Sequence, residues 1–137
     1  MARVPDDLVL APLPALAEAQ RLLDEGLPFH AHEVLEGTWK AAPDDERDLW
    51  QGLAQLAVGL THVLRENPQG ATTLLRRGRD RLAGYAADPP YDIDVPGLVG
   101  WADALMERLA ASGEGTQAPP TATTPVLRWV PDAPSSR

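Results

Sequence analysis

The sequence predicts an all-α protein: a single compact bundle of about five helices with a long central helix and an extended C-terminal tail. Three observations support this fold class. Apolar residues recur with the period of amphipathic helices along most of residues 12–111. Proline and glycine interrupt that period where short connections are expected. The chain has 137 residues, which is enough for one domain with its own core.

The first two helices are delimited by proline and glycine. Pro12–Glu25 carries an apolar stripe at helical spacing, and Gly26 follows it at the position where glycine ends many helices. Pro28 suits the first turn of a second helix, because that turn has no hydrogen-bond partner for its N–H groups. This helix is expected to end near Ala41, before Pro43.

The third helix is predicted from about Asp44 to Arg65, before Asn67 and Pro68. It is apolar around most of its circumference, so it should lie in the centre of the bundle. An acidic cluster stands at its start: Asp44, Asp45, Glu46 and Asp48. Acids at a helix N-terminus are favoured by the helix dipole, and this interpretation is stronger than a nuclease or metal role.

Two more helices complete the domain. The fourth runs from Gln69 to about Tyr85 and forms an antiparallel hairpin with the third. Its arginines, Arg76, Arg77, Arg79 and Arg81, are interpreted as a solvated surface, with an anion or carboxylate contact at the mouth of the pocket as the alternative. Tyr91–Pro96 should be extended, and Val95–Ala111 should form the fifth helix with Trp101 in the core.

The chain divides into three parts by composition. Residues 1–11 form a candidate N-terminal arm, and residues 12–112 the helical domain. Residues 113–137 are rich in Pro and Thr and read as a tail. Residues 126–130, VLRWV, are the apolar part of this tail, and we expect them to dock on the domain or on a neighbouring subunit.

Charge and composition exclude several classes of function. The net charge of −8 argues against general binding to nucleic acids or anionic membranes, which require a positive field. The absence of cysteine excludes disulfides, thiolate zinc sites, iron–sulfur clusters and cysteine nucleophiles. The first residues do not resemble a signal peptide, and no apolar run approaches the length of a membrane span. A cytoplasmic protein is expected.

The candidate site combines polar residues of the second and third helices. His32 and Glu36 are four residues apart, so they lie on one face of their helix. On the third helix, a stripe contains Gln51, Gln55, Val58 and His62. Buried polar groups require hydrogen-bond partners, so we expect this stripe to face the polar members of the second helix.

These residues are assigned candidate roles. The catalytic candidates are His32, Glu33 and Glu36, and the ligand-binding candidates are Trp39, Trp50, Gln51, Gln55 and His62. In a metal-free site, His32 acts as an acid–base group tuned by Glu36 or Glu33, and the glutamines orient a small polar molecule. A divalent metal bound by His32, Glu36 and His62 is the alternative, with Glu33 as general base.

The metal alternative departs from known patterns. Glu36 stands where the zincin HExxH motif has its second histidine, and the Glu-x-x-His pairs of di-iron bundles are absent. The cofactor therefore stays unknown. The alternative function is an interaction scaffold, in which the same polar residues form a hydrogen-bond network that fixes the fold. Such a scaffold would act as a homodimer or as an adaptor. The helix hairpin is similar in style to a tetratricopeptide unit, although no repeat follows it.

The two segments FHAHEVLEGTWK and LWQGLAQLAVGLTHVLRENPQGATTLLRRG resemble the DUF309 family of small helical proteins. The resemblance covers about Leu22 to Leu82. The matching residues are Phe29, His32, Glu33, Glu36, Trp39, Gln51, Gly52, Gln55, His62, Asn67, Gly70 and Ala71. It implies an all-helical fold and points to the same polar residues, but it implies no established activity.

Overall fold

A computed structural model describes residues 10–112 and 124–128 of the chain. Within them the chain forms five α-helices: α1 (Pro12–Asp24), α2 (Pro28–Ala41), α3 (Arg47–Leu64), α4 (Pro68–Ala83) and α5 (Val95–Ser112). The described part contains no strand, only one isolated antiparallel bridge between Ile93 and Arg128. The predicted all-α bundle is therefore confirmed.

The helix boundaries follow the local chemistry of the chain. Pro12, Pro28 and Pro68 begin α1, α2 and α4, where a missing N–H costs no helical hydrogen bond. Gly26 has a φ of 78°, a conformation that other residues adopt only with strain. The side chain of Asn67 accepts a hydrogen bond from the backbone N–H of Gly70 at 3.2 Å and so caps α4.

The central helix is α3, which packs against α2 on one side and α4 on the other. Its largest buried side chains, Leu49, Trp50 and Leu53, are essentially inaccessible to solvent. On the side facing α4, Gly52 lies against Gly78, and Gly59 lies against Leu75. These glycines let the two helix backbones approach closely, as expected for the antiparallel hairpin.

Three local predictions differ from the structure. The third helix begins at Arg47, because Asp44–Glu46 form a 3-10 turn instead of the first α-helical turn. The segment predicted as extended from Tyr91 begins with another 3-10 turn, Pro90–Asp92. Trp101, expected in the core, is only half-buried at its edge.

The C-terminal segment 124–128 lies against α1 and the residues before α5. The amide of Gln20 donates from Nε2 to the Pro125 carbonyl at 3.0 Å and accepts at Oε1 from Leu127 N–H at 2.8 Å. The carbonyl of Leu127 accepts from the N–H of Asp94 at 2.8 Å, and its side chain is 3% exposed. This segment is thus fixed by hydrogen bonds to its backbone and by the burial of Pro125 and Leu127.

Other parts of the sequence-based division fall outside the described residues. These are residues 1–9 of the predicted arm, residues 113–123 of the tail, and Trp129 and Val130 of the apolar segment. Among the helices that are described, none is both long enough and apolar enough to cross a lipid bilayer.

Candidate functional site

One flank of α2 carries three of the candidate site residues, His32, Glu36 and Trp39, together with Phe29, and runs along α3. Phe29, at one end of the flank, lies under the guanidinium group of Arg65, whose Cζ is 6.0 Å from the ring centre. Trp39, at the other end, lies under Arg47, with 5.6 Å between Cζ and the ring centre. Because Arg47 and Arg65 stand at opposite ends of α3, the two helices are antiparallel. His32 and Glu36 occupy the middle of this flank.

His32 is partly shielded and has one ring nitrogen without a partner. Its side chain is 20% exposed, and its ring lies 5.3 Å from the Phe29 ring between centres. The Nε2 atom is 3.8 Å from Oε1 of Glu36, which is too long for a direct hydrogen bond. The Nδ1 atom is buried and makes no hydrogen bond in the described structure.

Trp39, two helical turns further along α2, also has a buried ring nitrogen, Nε1, without a hydrogen-bond partner among the described residues. Arg47, which covers the indole ring, is itself exposed. A buried N–H group without a partner costs about 1–3 kcal/mol, so such groups are rare in folded proteins.

The polar stripe of α3 is half-buried between its two neighbouring helices. Gln51, Gln55, Val58 and His62 all show intermediate exposure. On one side of this stripe, Arg47 and Arg65 of α3 contact the aromatic rings of α2. On the other side, Gly52 and Gly59 of α3 contact α4. The stripe therefore forms the floor of a shallow groove, with the α2 flank as one wall and α4 as the other.

Two members of the stripe form hydrogen bonds with α4 or the turn before it, and not with α2 as expected. Oε1 of Gln55 accepts from Nε of Arg81 at 3.1 Å, and Arg81 also contacts the Asp48 carboxylate at 2.5 Å. Nδ1 of His62 lies 3.1 Å from Nδ2 of Asn67, the residue that caps α4. Since that amide nitrogen is a donor, His62 Nδ1 is the acceptor in this pair.

Trp50 lies away from the polar stripe, about 100° around α3 from Gln51. Its side chain is fully buried, and its Nε1 donates to Oε1 of Glu46 at 3.1 Å. The same carboxylate accepts from the hydroxyl group of Tyr91 at 2.8 Å. The hydrogen bond with Glu46 raises the pKa of Tyr91, because removing the proton would place a phenolate beside a carboxylate.

The remaining candidates are not brought into one cluster. Gln51 is half-buried in the groove, and Glu33 lies about 100° around α2 from His32. Within residues 10–112 and 124–128, no three His, Cys, Asp or Glu side chains are placed to hold a metal ion. The metal trio His32, Glu36 and His62 therefore stays a prediction from the sequence alone.

The arrangement separates two kinds of polar chemistry. On α3, the amide of Gln55 and the imidazole of His62 have protein partners, so they are suited to fixing the position of α4. On α2, the buried ring nitrogens His32 Nδ1 and Trp39 Nε1 have no hydrogen-bond partner among the described residues. Glu36, 38% exposed, supplies a carboxylate beside His32.

Sequence reasoning missed Arg81, Glu46 and Tyr91 as members of polar networks. Glu46 and Trp50 are four residues apart, so their hydrogen bond could have been found from helical spacing. The contact of Tyr91 with Glu46 joins residues 45 positions apart and has no local signal. Arg81 was assigned to solvent because a helical pattern does not identify the neighbouring helix.

Comparison with known proteins supports the resemblance found in the sequence. Residues 16–74 match the family model described as "Domain of unknown function (DUF309)". A 48-residue segment is 46% identical to the "Uncharacterized protein YpuF" of Bacillus subtilis (strain 168). That segment covers 34% of this chain and 28% of the relative, so the chain matches less than a third of that protein. No solved structure matches the chain.

The family match and the candidate site occupy the same part of the chain. The family match begins in α1 and ends in α4. Its start lies before Leu22 and its end before Leu82, the bounds expected from the motifs. It includes the whole of α2 and α3, and therefore His32, Trp39 and the polar stripe. The resemblance seen in the sequence is thus confirmed by the match of residues 16–74 to the DUF309 family model.

Proposed function

We propose that the chain binds a small polar molecule along the α2 flank of the groove, with His32 and Trp39 as the principal contacts. The observation that carries the proposal is the pair of buried ring nitrogens, His32 Nδ1 and Trp39 Nε1, that lack hydrogen-bond partners. Both lie on the same flank of α2. A bound molecule that offered hydrogen-bonding atoms to both would remove the cost of leaving them unpaired.

The surroundings suggest the chemistry of this molecule. His32 and Trp39 are seven residues apart, so their side chains are separated by about 10 Å along the helix. Trp39 N–H is a donor and Arg47 adds a positive charge, so that end suits a carboxylate or phosphate oxygen. The His32 end, beside the Glu36 carboxylate, suits a group that can donate a hydrogen bond.

The experiment measures thermal stability with and without candidate molecules. A panel of small carboxylates, amino acids and phosphates is added to the full chain and to His32→Ala and Trp39→Phe variants. Binding at a concentration of about 100 Kd adds about 2.7 kcal/mol to the free energy of unfolding, which gives a clear rise in melting temperature. We expect both variants to lose this rise, and the matched variant His30→Ala to keep it, since His30 lies on the opposite flank of α2.

A second candidate function is a scaffold, and one observation favours it for the α3 residues. The hydrogen bonds of Gln55 to Arg81 and of Arg81 to Asp48 join α3 to α4, as a network that fixes the fold would do. In this alternative, the α2 residues are structural as well. In that case both His32→Ala and Gln55→Ala should lower the melting temperature without any ligand. An unchanged or higher melting temperature for His32→Ala supports a binding site, and a marked decrease contradicts it.

A further inference from the structure

A cleft of about 260 Å³ lies beside Glu46 and Trp50, and none of the polar-stripe residues lines it. It is bordered by the start of α1, the end of α2 and the Tyr91 turn. Most of its lining is apolar, and the residues that matter here are Leu10, Ala42, Pro43, Trp50 and Tyr91. Among the described residues that line it, Glu46 is the one with a carboxyl group. The binding site proposed above does not include this cleft.

The carboxylate of Glu46 is held in a defined position by two neutral donors. Trp50 Nε1 donates at 3.1 Å to one carboxylate oxygen, and the Tyr91 hydroxyl donates at 2.8 Å to the other. The two rings lie 5.8 Å apart between centres and are tilted by 44°. A carboxylate offers about four acceptor positions, so these contacts leave it able to bind one more donor. Neither partner neutralises its negative charge.

The backbone conformation at Tyr91 supports a built site. Tyr91 has a φ of 57° and Asp92 a φ of 58°, and two consecutive non-glycine residues in this region are strained. The carbonyl of Tyr91 accepts a hydrogen bond from Nε of Arg128 at 2.8 Å, which holds the turn. This otherwise unfavourable turn places the phenol group against Glu46. Strain of this kind is concentrated at functional positions.

The negative charges around the cleft determine whether it binds cations or anions. Asp44 and Asp45 are exposed immediately before Glu46, and the chain as a whole has a net charge of −8. The nearest basic residue in the sequence, Arg47, lies over Trp39 in the groove. The other basic group near the cleft is Arg128, at the Tyr91 carbonyl, and its charge is offset by Asp92 at 3.5 Å. The N-terminus of α3 contributes only about half a positive charge, which three carboxylates exceed. Cations are therefore attracted and anions repelled.

We propose that this cleft binds a small organic cation with an apolar body, such as an amine with one ring or a short alkyl chain. The apolar lining would receive the body, and Glu46 would form an ion pair with the ammonium group, whose charge the Tyr91 ring also attracts. The size is suitable, because an apolar cavity of about 150 Å³ is sufficient for benzene. The cleft is larger, and its carboxylate distinguishes an amine from a neutral molecule of the same shape.

The experiment titrates the full chain with benzylammonium and follows the indole N–H resonance of Trp50 by NMR, assigned with a Trp50→Phe variant. Benzyl alcohol and benzoate serve as neutral and anionic probes of similar shape. We expect saturable binding of benzylammonium, at least tenfold weaker binding of benzyl alcohol, and none of benzoate. Glu46→Gln keeps an acceptor for Trp50 and Tyr91 but removes the charge, and it should weaken benzylammonium binding at least tenfold.

Two further variants separate the cleft from general charge effects. Glu25→Gln removes one exposed carboxylate at the far end of α1 and should leave the affinity for benzylammonium unchanged. Ala42→Leu fills the cleft without changing any charge and should abolish binding; melting curves for each variant establish that it is folded. The proposal is overturned if benzylammonium does not bind, if benzyl alcohol binds equally well, or if folded Glu46→Gln retains the wild-type affinity.

Discussion

The close contact between α3 and α4 makes a quantitative prediction for Gly78→Ala. A methyl group at Gly78 would lie 2.7 Å from the Gly52 carbonyl oxygen and 3.0 Å from Cδ2 of Leu56. The first of these atoms is backbone, so α3 and α4 must separate to accommodate it. Overpacking of this kind costs about 1–3 kcal/mol. The same substitution gains about 1 kcal/mol in helix propensity, because glycine is the weaker helix former.

Gly100→Ala is the matched control for this prediction. Gly100 is exposed within α5, and a methyl group built on it would meet nothing within 4 Å. This variant therefore gains the propensity term alone and should be more stable than the wild type by about 0.5–1 kcal/mol. Because the propensity terms cancel between the two variants, their difference in stability should equal the overpacking cost, about 1–3 kcal/mol.

The assay is equilibrium unfolding in urea followed by far-UV circular dichroism, for the wild type and both variants. The midpoint of Gly78→Ala should be lowest and that of Gly100→Ala highest, with equal slopes that show a common unfolding transition. Equal midpoints for the two variants would refute the reasoning. The α3–α4 interface would then tolerate a methyl group, and its glycines would not be required for close packing.

Two further predictions concern side chains that form hydrogen bonds. Asn67→Ala removes both the cap that accepts from Gly70 N–H and the donor to His62, and it should lower the free energy of unfolding by about 1 kcal/mol in urea titrations. Asn67→Asp keeps the capping acceptor and loses only the donor, so it should lose less stability. The hydrogen bond with Glu46 raises the pKa of the Tyr91 hydroxyl above 10.0 in the folded state. The stabilising effect of this hydrogen bond is therefore fully present below pH 10.0 and is lost as pH rises through the higher pKa of the folded state. Tyr91→Phe should therefore be less stable than the wild type near neutral pH, and its urea midpoint should decrease less above pH 10.0; parallel pH profiles for the two proteins would contradict this.

The helices could be predicted because their boundaries are encoded locally. Pro28–Ala41 was expected and is observed, since Pro28 sets the first turn and Pro43 prevents continuation. The start of the third helix was wrong by one turn. Glu46 has a φ of −112° and a ψ of −3°, which leaves the α-helical path before Arg47. The segment Asp44–Glu46 contains no apolar residue. Hydrophobic periodicity therefore gives no signal for the change from a 3-10 turn to an α-helix at Arg47.

The groove shows why the site could be predicted only in part. Helical spacing correctly placed Gln55 and His62 on one stripe, because that depends on a single helix. It could not identify their partners, which depend on the side of α3 that each neighbouring helix occupies. The stripe lies at the boundary between α2 and α4, so its side chains can turn to either. Gln55 contacts Arg81 of α4 because a guanidinium group satisfies an amide oxygen and the Asp48 carboxylate together.

The two proposed sites differ in the state of their polar groups, and this difference determines what each can bind. In the cleft, Glu46 has partners at both oxygens, so its position is fixed and its charge is the property left for a ligand. In the groove, His32 and Trp39 have unpaired ring nitrogens, so hydrogen bonding is the property left there. A cation should therefore respond to Glu46→Gln but not to His32→Ala, and a hydrogen-bonding anion should show the reverse. Measuring both ligands against both variants tests each site independently, because failure at one leaves the argument for the other unchanged.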